Sequence, residues 1–133
     1  MYLRYLAKYY NETTQKQETG FFWSADYLKN HGNLQVTDRQ KLEELIQWFD
    51  KNLPIPNYYQ SKKNHQESKS AATWFKDSSD KYIKRMNELA ELLEVYNVDV
   101  QRISCKRLLG KKIFEDDYQI TIIPYRDIAK KVK

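Results

Sequence analysis

Hydrophobic positions recur along this chain with two periods, and each change of period marks an element. Residues 1–10, MYLRYLAKYY, alternate, with Leu3, Tyr5, Ala7 and Tyr9 on one face and Tyr2, Arg4, Leu6 and Lys8 on the other. That period of two predicts a first strand. Residues 11–19 are polar without a period and predict an exposed connection. After Gly20, the residues Phe21, Ala25 and Leu28 recur at helical spacing until Gly32 supplies a stop, although Phe21-Phe22-Trp23 alone would equally suit the start of a strand. A second helix follows. Thr37 with Gln40 three positions later has the form of a capping box, and Leu42, Leu45, Ile46, Phe49 and Leu53 mark one face. Leu53-Pro54-Ile55-Pro56 ends it, because each proline pushes the preceding residue away from helical geometry.

Residues 57–70, NYYQSKKNHQESKS, have neither glycine nor period. They predict a flexible polar and basic loop, the segment best suited to meeting a partner. Asp77 and Asp80 then predict the start of a helix reaching about Asn97, with Tyr82, Met86, Leu89, Leu93 and Tyr96 as its apolar stripe. Beyond it, 98–105, 112–115 and 118–123 read as three short strands, turned at Gly110 and Asp116-Asp117 and closed by Pro124. The charged tail, 125–133, is expected to fray or form a short helix. No internal repeat appears. The order predicts an α+β domain over residues 1–133, a length that suffices for one hydrophobic core and not for two. Its expected architecture is a small antiparallel sheet, made of the N-terminal strand plus a C-terminal three-strand meander, packed against two or three helices. Tyr82, Met86, Leu89 and Leu93 are expected to share its core with Ile113, Ile120 and Ile122.

The mean hydropathy is low, at -0.88. Eleven tyrosines, five phenylalanines and three tryptophans offset the shortage of aliphatics, since each aromatic ring buries a large area. The net charge of +5 is unevenly spread. Lys and Arg balance Asp and Glu at seven each over residues 1–56 but exceed them nine to five over 98–133 and three to one over 57–70. This excess concentrates the question of phosphate or partner binding on two stretches. One is Tyr58, Tyr59, Lys62, Lys63 and Lys69, and the other is Arg102, Lys106, Arg107, Lys111 and Lys112. Exposed loop lysines more often form only a solvated rim.

Reactive chemistry is sparse. His31 and His65 are the only histidines, and neither has a carboxylate or cysteine at metal-ligand spacing. Ser78-Ser79 beside Asp77 has no histidine nearby and reads as helix capping rather than as a nucleophile. The single cysteine, Cys105, excludes an intramolecular disulfide and a thiolate metal cluster, which suits a reducing cytoplasm. The basic neighbours Lys106 and Arg107 would activate its thiol if exposed, whereas burial as a small apolar residue is the commoner role. Glu115-Asp116-Asp117 is the densest acidic run, but neighbours on a strand face opposite sides, so a solvated turn is expected in place of a cation site. With three glycines in the chain there is no glycine-rich phosphate loop and no expected nucleotide cofactor. Arg4 and Lys8 interrupt any apolar leader core, and no long apolar run predicts a membrane span.

Trp74-Phe75-Lys76, Tyr82-Ile83 with Arg85-Met86, and Gly110-Lys111-Lys112-Ile113-Phe114-Glu115-Asp116-Asp117-Tyr118-Gln119 ending at Pro124 resemble a pattern in small bacterial proteins without an assigned activity. Trp48-Phe49 and Leu53-Pro54-Ile55-Pro56 extend the likeness over most of the chain. The chain departs from that pattern at Leu109, where proline is frequent, and in its longer polar segment before Trp74. The resemblance implies a shared fold and carries no catalytic residue. Together these features lead to the expectation of a non-enzymatic cytoplasmic protein that binds another protein, such as an inhibitor, immunity or adaptor protein of bacterial, viral or mobile-element origin. A nucleic-acid-binding module is the alternative, and no cofactor is expected.

Overall fold

The alternating N-terminus forms β1 (Tyr2–Asn11) in a computed structural model that describes residues 1–53 and 71–124. The predicted loop at 57–70 and the tail at 125–133, with Tyr58, Tyr59, Lys62, Lys63 and Lys69, lie outside the described residues. The elements after β1 are β2 (Lys16–Thr19), α1 (Phe21–His31), α2 (Val36–Asn52), β3 (Ala72–Lys76), α3 (Asp80–Val95), β4 (Asp99–Cys105), β5 (Gly110–Glu115) and β6 (Gln119–Pro124). The fold is α+β, as the sequence predicts, and among the described residues six strands form one antiparallel sheet packed with three helices.

The sheet departs from the expected N-terminal strand plus meander. Its strand order is β2-β1-β3-β6-β5, and β4 pairs with β1. Only β5 and β6 form the expected hairpin. Two strands were not legible. Within the polar run 11–19, Asn11 ends β1 and Lys16–Thr19 folds back as β2, with Tyr9 opposite Glu18 and Asn11 opposite Lys16. Ala72–Lys76 forms β3 and joins β1 to β6, pairing Leu3 with Phe75 and Thr73 with Thr121. Thr73 Oγ1 and Thr121 Oγ1 lie 2.9 Å apart, so that cross-strand pair satisfies itself where Thr121 is buried.

The described residues divide into two compact units, 1–4, 71–83 and 104–124 in one, Tyr5–Leu53 and Lys84–Ile103 in the other. In the first, Ala72, Phe75, Tyr82, Ile120, Ile122 and Ile123 are buried. Strand β6 is buried along nearly its whole length because it has a neighbour on each side. Ile113 departs from the expected core set and is only half-buried. The β5–β6 register jumps between Lys112 and Phe114, so Ile113 is the extra residue of a bulge and loses the alternation that would turn it inward. In the second unit Leu42, Leu45, Ile46 and Phe49 of α2 and Met86, Leu89 and Leu93 of α3 are buried, as their spacing predicts, and Leu92 is buried beside them.

Helix ends differ from expectation in their chemistry. Helix α2 begins at Val36 and has no side-chain cap, so Thr37 and Gln40 form no capping box. Tyr96 instead reaches from beyond α3, donating its hydroxyl to the Asp38 carboxylate and accepting the Gln35 N–H. Helix α3 starts at Asp80, which leaves Asp77 in the preceding turn. The Ser79 hydroxyl donates to the Tyr118 carbonyl at 2.9 Å. At the other end Asn97 takes φ of 67° while its N–H and that of Val98 bond the carbonyls of Glu94 and Leu93. This is a Schellman closure with asparagine in the left-handed position.

Candidate functional site

The least expected surface lies between the β1–β2 hairpin and α1. Asn11 closes the hairpin turn: its Oδ1 accepts the N–H groups of Thr13 and Thr14 at 2.9 and 3.3 Å. Gln15 completes the turn at φ of 57°. The register then places Glu18 opposite Tyr9 on the same face. Glu18 accepts from the Tyr9 hydroxyl at 3.1 Å, Asn11 Nδ2 at 3.2 Å and the Thr14 hydroxyl at 3.0 Å. These donors, led by Asn11, hold the Glu18 carboxyl below its ordinary pKa, and burial, followed by the same carboxylate, raises the Tyr9 phenol.

Gly20 joins this hairpin to α1. Its φ of 145° is open to glycine and strained for other residues, and a Cβ there would meet Trp23 Cδ1 at 2.8 Å. The Trp23 ring therefore lies against the glycine, yet it remains 71% exposed. One turn on, Tyr27 packs against Tyr9 at 5.2 Å between ring centroids and stacks on His31 at 4.5 Å. The Tyr27 hydroxyl accepts the Glu12 N–H at 3.0 Å, pinning the ladder to the turn. Tyr9, Gln17, Glu18, Thr19 and Trp23 line an open groove of about 490 Å³. Aromatic faces beside an ionised carboxylate suit recognition of a polar or cationic group.

The residues expected to form a basic surface divide by partner. Arg102 is held by Glu94 at 2.7 Å, and Lys112 by Glu115 at 2.9 Å. Lys106, Arg107 and Lys111 are exposed and form no ion pair among the described residues. Lys111 and Lys112 sit on β5 at the end of the strand order, where lysines and a bulge discourage pairing with another chain's strand. A second hollow, of about 300 Å³ between α2 and α3, contains Trp48 under the Arg85 guanidinium at 5.3 Å, with Glu88 at 3.5 Å from Arg85. Arg85 is thereby already engaged by an aromatic face and a carboxylate.

Two residues of the acidic run 115–117, Glu115 and Asp116, are committed to structure, and Asp117 is exposed. Glu115 pairs with Lys76 at 2.8 Å as well as with Lys112, and these contacts lower its pKa from 4.5 to about 2. Asp116 Oδ1 accepts the N–H groups of Tyr118 and Gln119, each at 2.8 Å, which makes the turn. No group of histidine, cysteine or acidic side chains able to hold a metal occurs among the described residues, and Cys105 is half-buried. No described helix is long and apolar enough to cross a membrane. The groove residues Tyr9, Glu18 and Trp23 escaped sequence reasoning. The available signal was Trp23, which falls about 200° around α1 from Phe21 and so off the apolar stripe. Comparison with protein-family models, curated proteins and solved structures returns no match.

Proposed function

We propose that this protein is a non-enzymatic cytoplasmic binding module whose ligand is another protein, acting as an inhibitor, immunity or adaptor protein does. The observation that carries the reading is Trp23, a large aromatic that stays exposed at the rim of a groove although burial elsewhere in its unit accommodates Phe21 and Phe49. Tryptophan and tyrosine in such positions are the residues that most often dominate protein interfaces. Its test compares proteins captured from the source cell by the wild-type chain and by Trp23→Ala, each with and without nuclease. A partner that survives nuclease and disappears with Trp23→Ala supports the reading. A captured set indifferent to Trp23, or removed by nuclease, overturns it.

A second reading, binding to nucleic acid, draws on Lys106, Arg107 and Lys111, which carry charge without an ion-pair partner among the described residues. Phosphates would meet these groups directly. Against it stands the sharing of the neighbouring cations Arg102 and Lys112 with Glu94 and Glu115.

A further inference from the structure

The groove beside Trp23 joins an exposed aromatic ring to a carboxylate whose charge no neighbour cancels. The three donors on Glu18 are a phenol, an amide and a hydroxyl, all neutral, so they orient the carboxylate without neutralising it. Glu18 forms no ion pair among the described residues, and Lys16 acts on it only through longer-range attraction. Asp26, exposed on α1, adds a second negative field at Tyr9. An anionic patch thus persists on a chain of net charge +5.

We propose that this groove receives a lysine or arginine side chain from a basic segment of the partner protein, with Trp23 and Tyr9 contributing aromatic faces and Glu18 the counter-charge. The assignment rests on the protein-binding reading above and adds the chemistry of the ligand. Charge complementarity selects it. An acidic segment would be repelled by Glu18 and Asp26, and a purely apolar one would strip water from the Glu18 carboxylate without replacing it. A cation satisfies the carboxylate and is attracted to the ring faces at the same time. The hydrogen bonds on Glu18 lower its pKa, so the counter-charge is present throughout the neutral range.

The test follows the Trp23 indole N–H by NMR in the full chain during titration with three synthetic peptides, identical except for Lys and Arg, Glu, or Leu at the variable positions. Glu18→Gln and Trp23→Ala are titrated in parallel, Glu18→Gln because it keeps the size and acceptor oxygen, and thermal unfolding checks that both remain folded. The expected result is a saturable shift of the Trp23 signal with the basic peptide alone, with affinity weakened roughly fivefold or more in Glu18→Gln and, for shifts followed at Tyr9 amides, in Trp23→Ala. Equal binding of the Glu or Leu peptide, or basic-peptide binding unchanged in Glu18→Gln, overturns the cation assignment. If no peptide moves the signal while partner capture still depends on Trp23, the cation assignment fails and the protein-binding reading stands. If capture is also indifferent to Trp23, both fail. A Trp23 shift that depends on protein concentration alone would show a second copy in the groove and overturn the proposal.

Discussion

Single residues in this protein carry more than their type suggests. Glu115 belongs by sequence to an acidic run, but by contact it is the shared partner of Lys76 and Lys112. Its pKa falls from 4.5 to about 2, chiefly through those two hydrogen bonds. A carboxyl depressed on folding stabilises the fold fully above its unfolded pKa and loses that contribution as pH falls through the folded value. The window therefore runs from about pH 4.5 down to about 2. Glu115→Gln should lower stability at neutral pH by roughly 0.2 to 1 kcal/mol, since an exposed pair is well screened. The gap between wild type and variant in urea unfolding should close as pH approaches 2. A gap that stays constant across the window would show that the pairs contribute nothing.

Between elements, one connection is made by a side chain reaching across to backbone. Arg39 of α2 donates through Nη1 to the Lys29 carbonyl at 2.6 Å and through Nη2 to the Gly32 carbonyl at 3.0 Å, satisfying the C-terminal end of α1 with a cation. Helix periodicity cannot show this, because it depends on how two helices meet. Arg39→Ala is expected to destabilise the protein by about 1 to 2 kcal/mol, and Arg39→Lys to recover only part of that loss because one ammonium cannot reproduce the fork. Denaturant midpoints of the three proteins decide the point, and an Arg39→Lys midpoint equal to wild type would remove the fork from the account. The β1–β2 hairpin follows the same logic, since Asn11 makes its turn with side-chain oxygen where sequence shows only polarity.

For the whole molecule, net positive charge is the property that most divides the two functional readings. If nucleic acid were the ligand, affinity would fall steeply between low and physiological salt through counterion release. Replacing Lys106, Arg107 and Lys111 by Gln would flatten that slope. The protein-binding reading expects only weak binding that ignores nucleotide sequence at physiological salt, with Trp23→Ala leaving it unchanged. Fluorescence anisotropy with a labelled duplex and a labelled single strand checks this. Tight, salt-robust binding to one defined oligonucleotide would reverse the order of the two readings.

By itself, the sequence determined the elements whose signal is local. The stripes of α2 and α3 reappear as buried faces, because a period of 3.6 places Leu42, Leu45, Ile46 and Phe49, or Met86, Leu89 and Leu93, on one side whatever they pack against. The alternating β1 and the β5–β6 hairpin were legible for the same reason. Tertiary structure alone decided which strands pair. Strand β4 joins β1 rather than the hairpin, and β3, only five residues long, becomes a strand through neighbours distant in sequence. It also decided the candidate site. Tyr9, Glu18 and Trp23 come from two strands and a helix, and their chemistry arises from register and from the bare backbone at Gly20. Pairing and convergence are long-range properties, set by the free energy of the assembled chain and invisible to any window that slides along it.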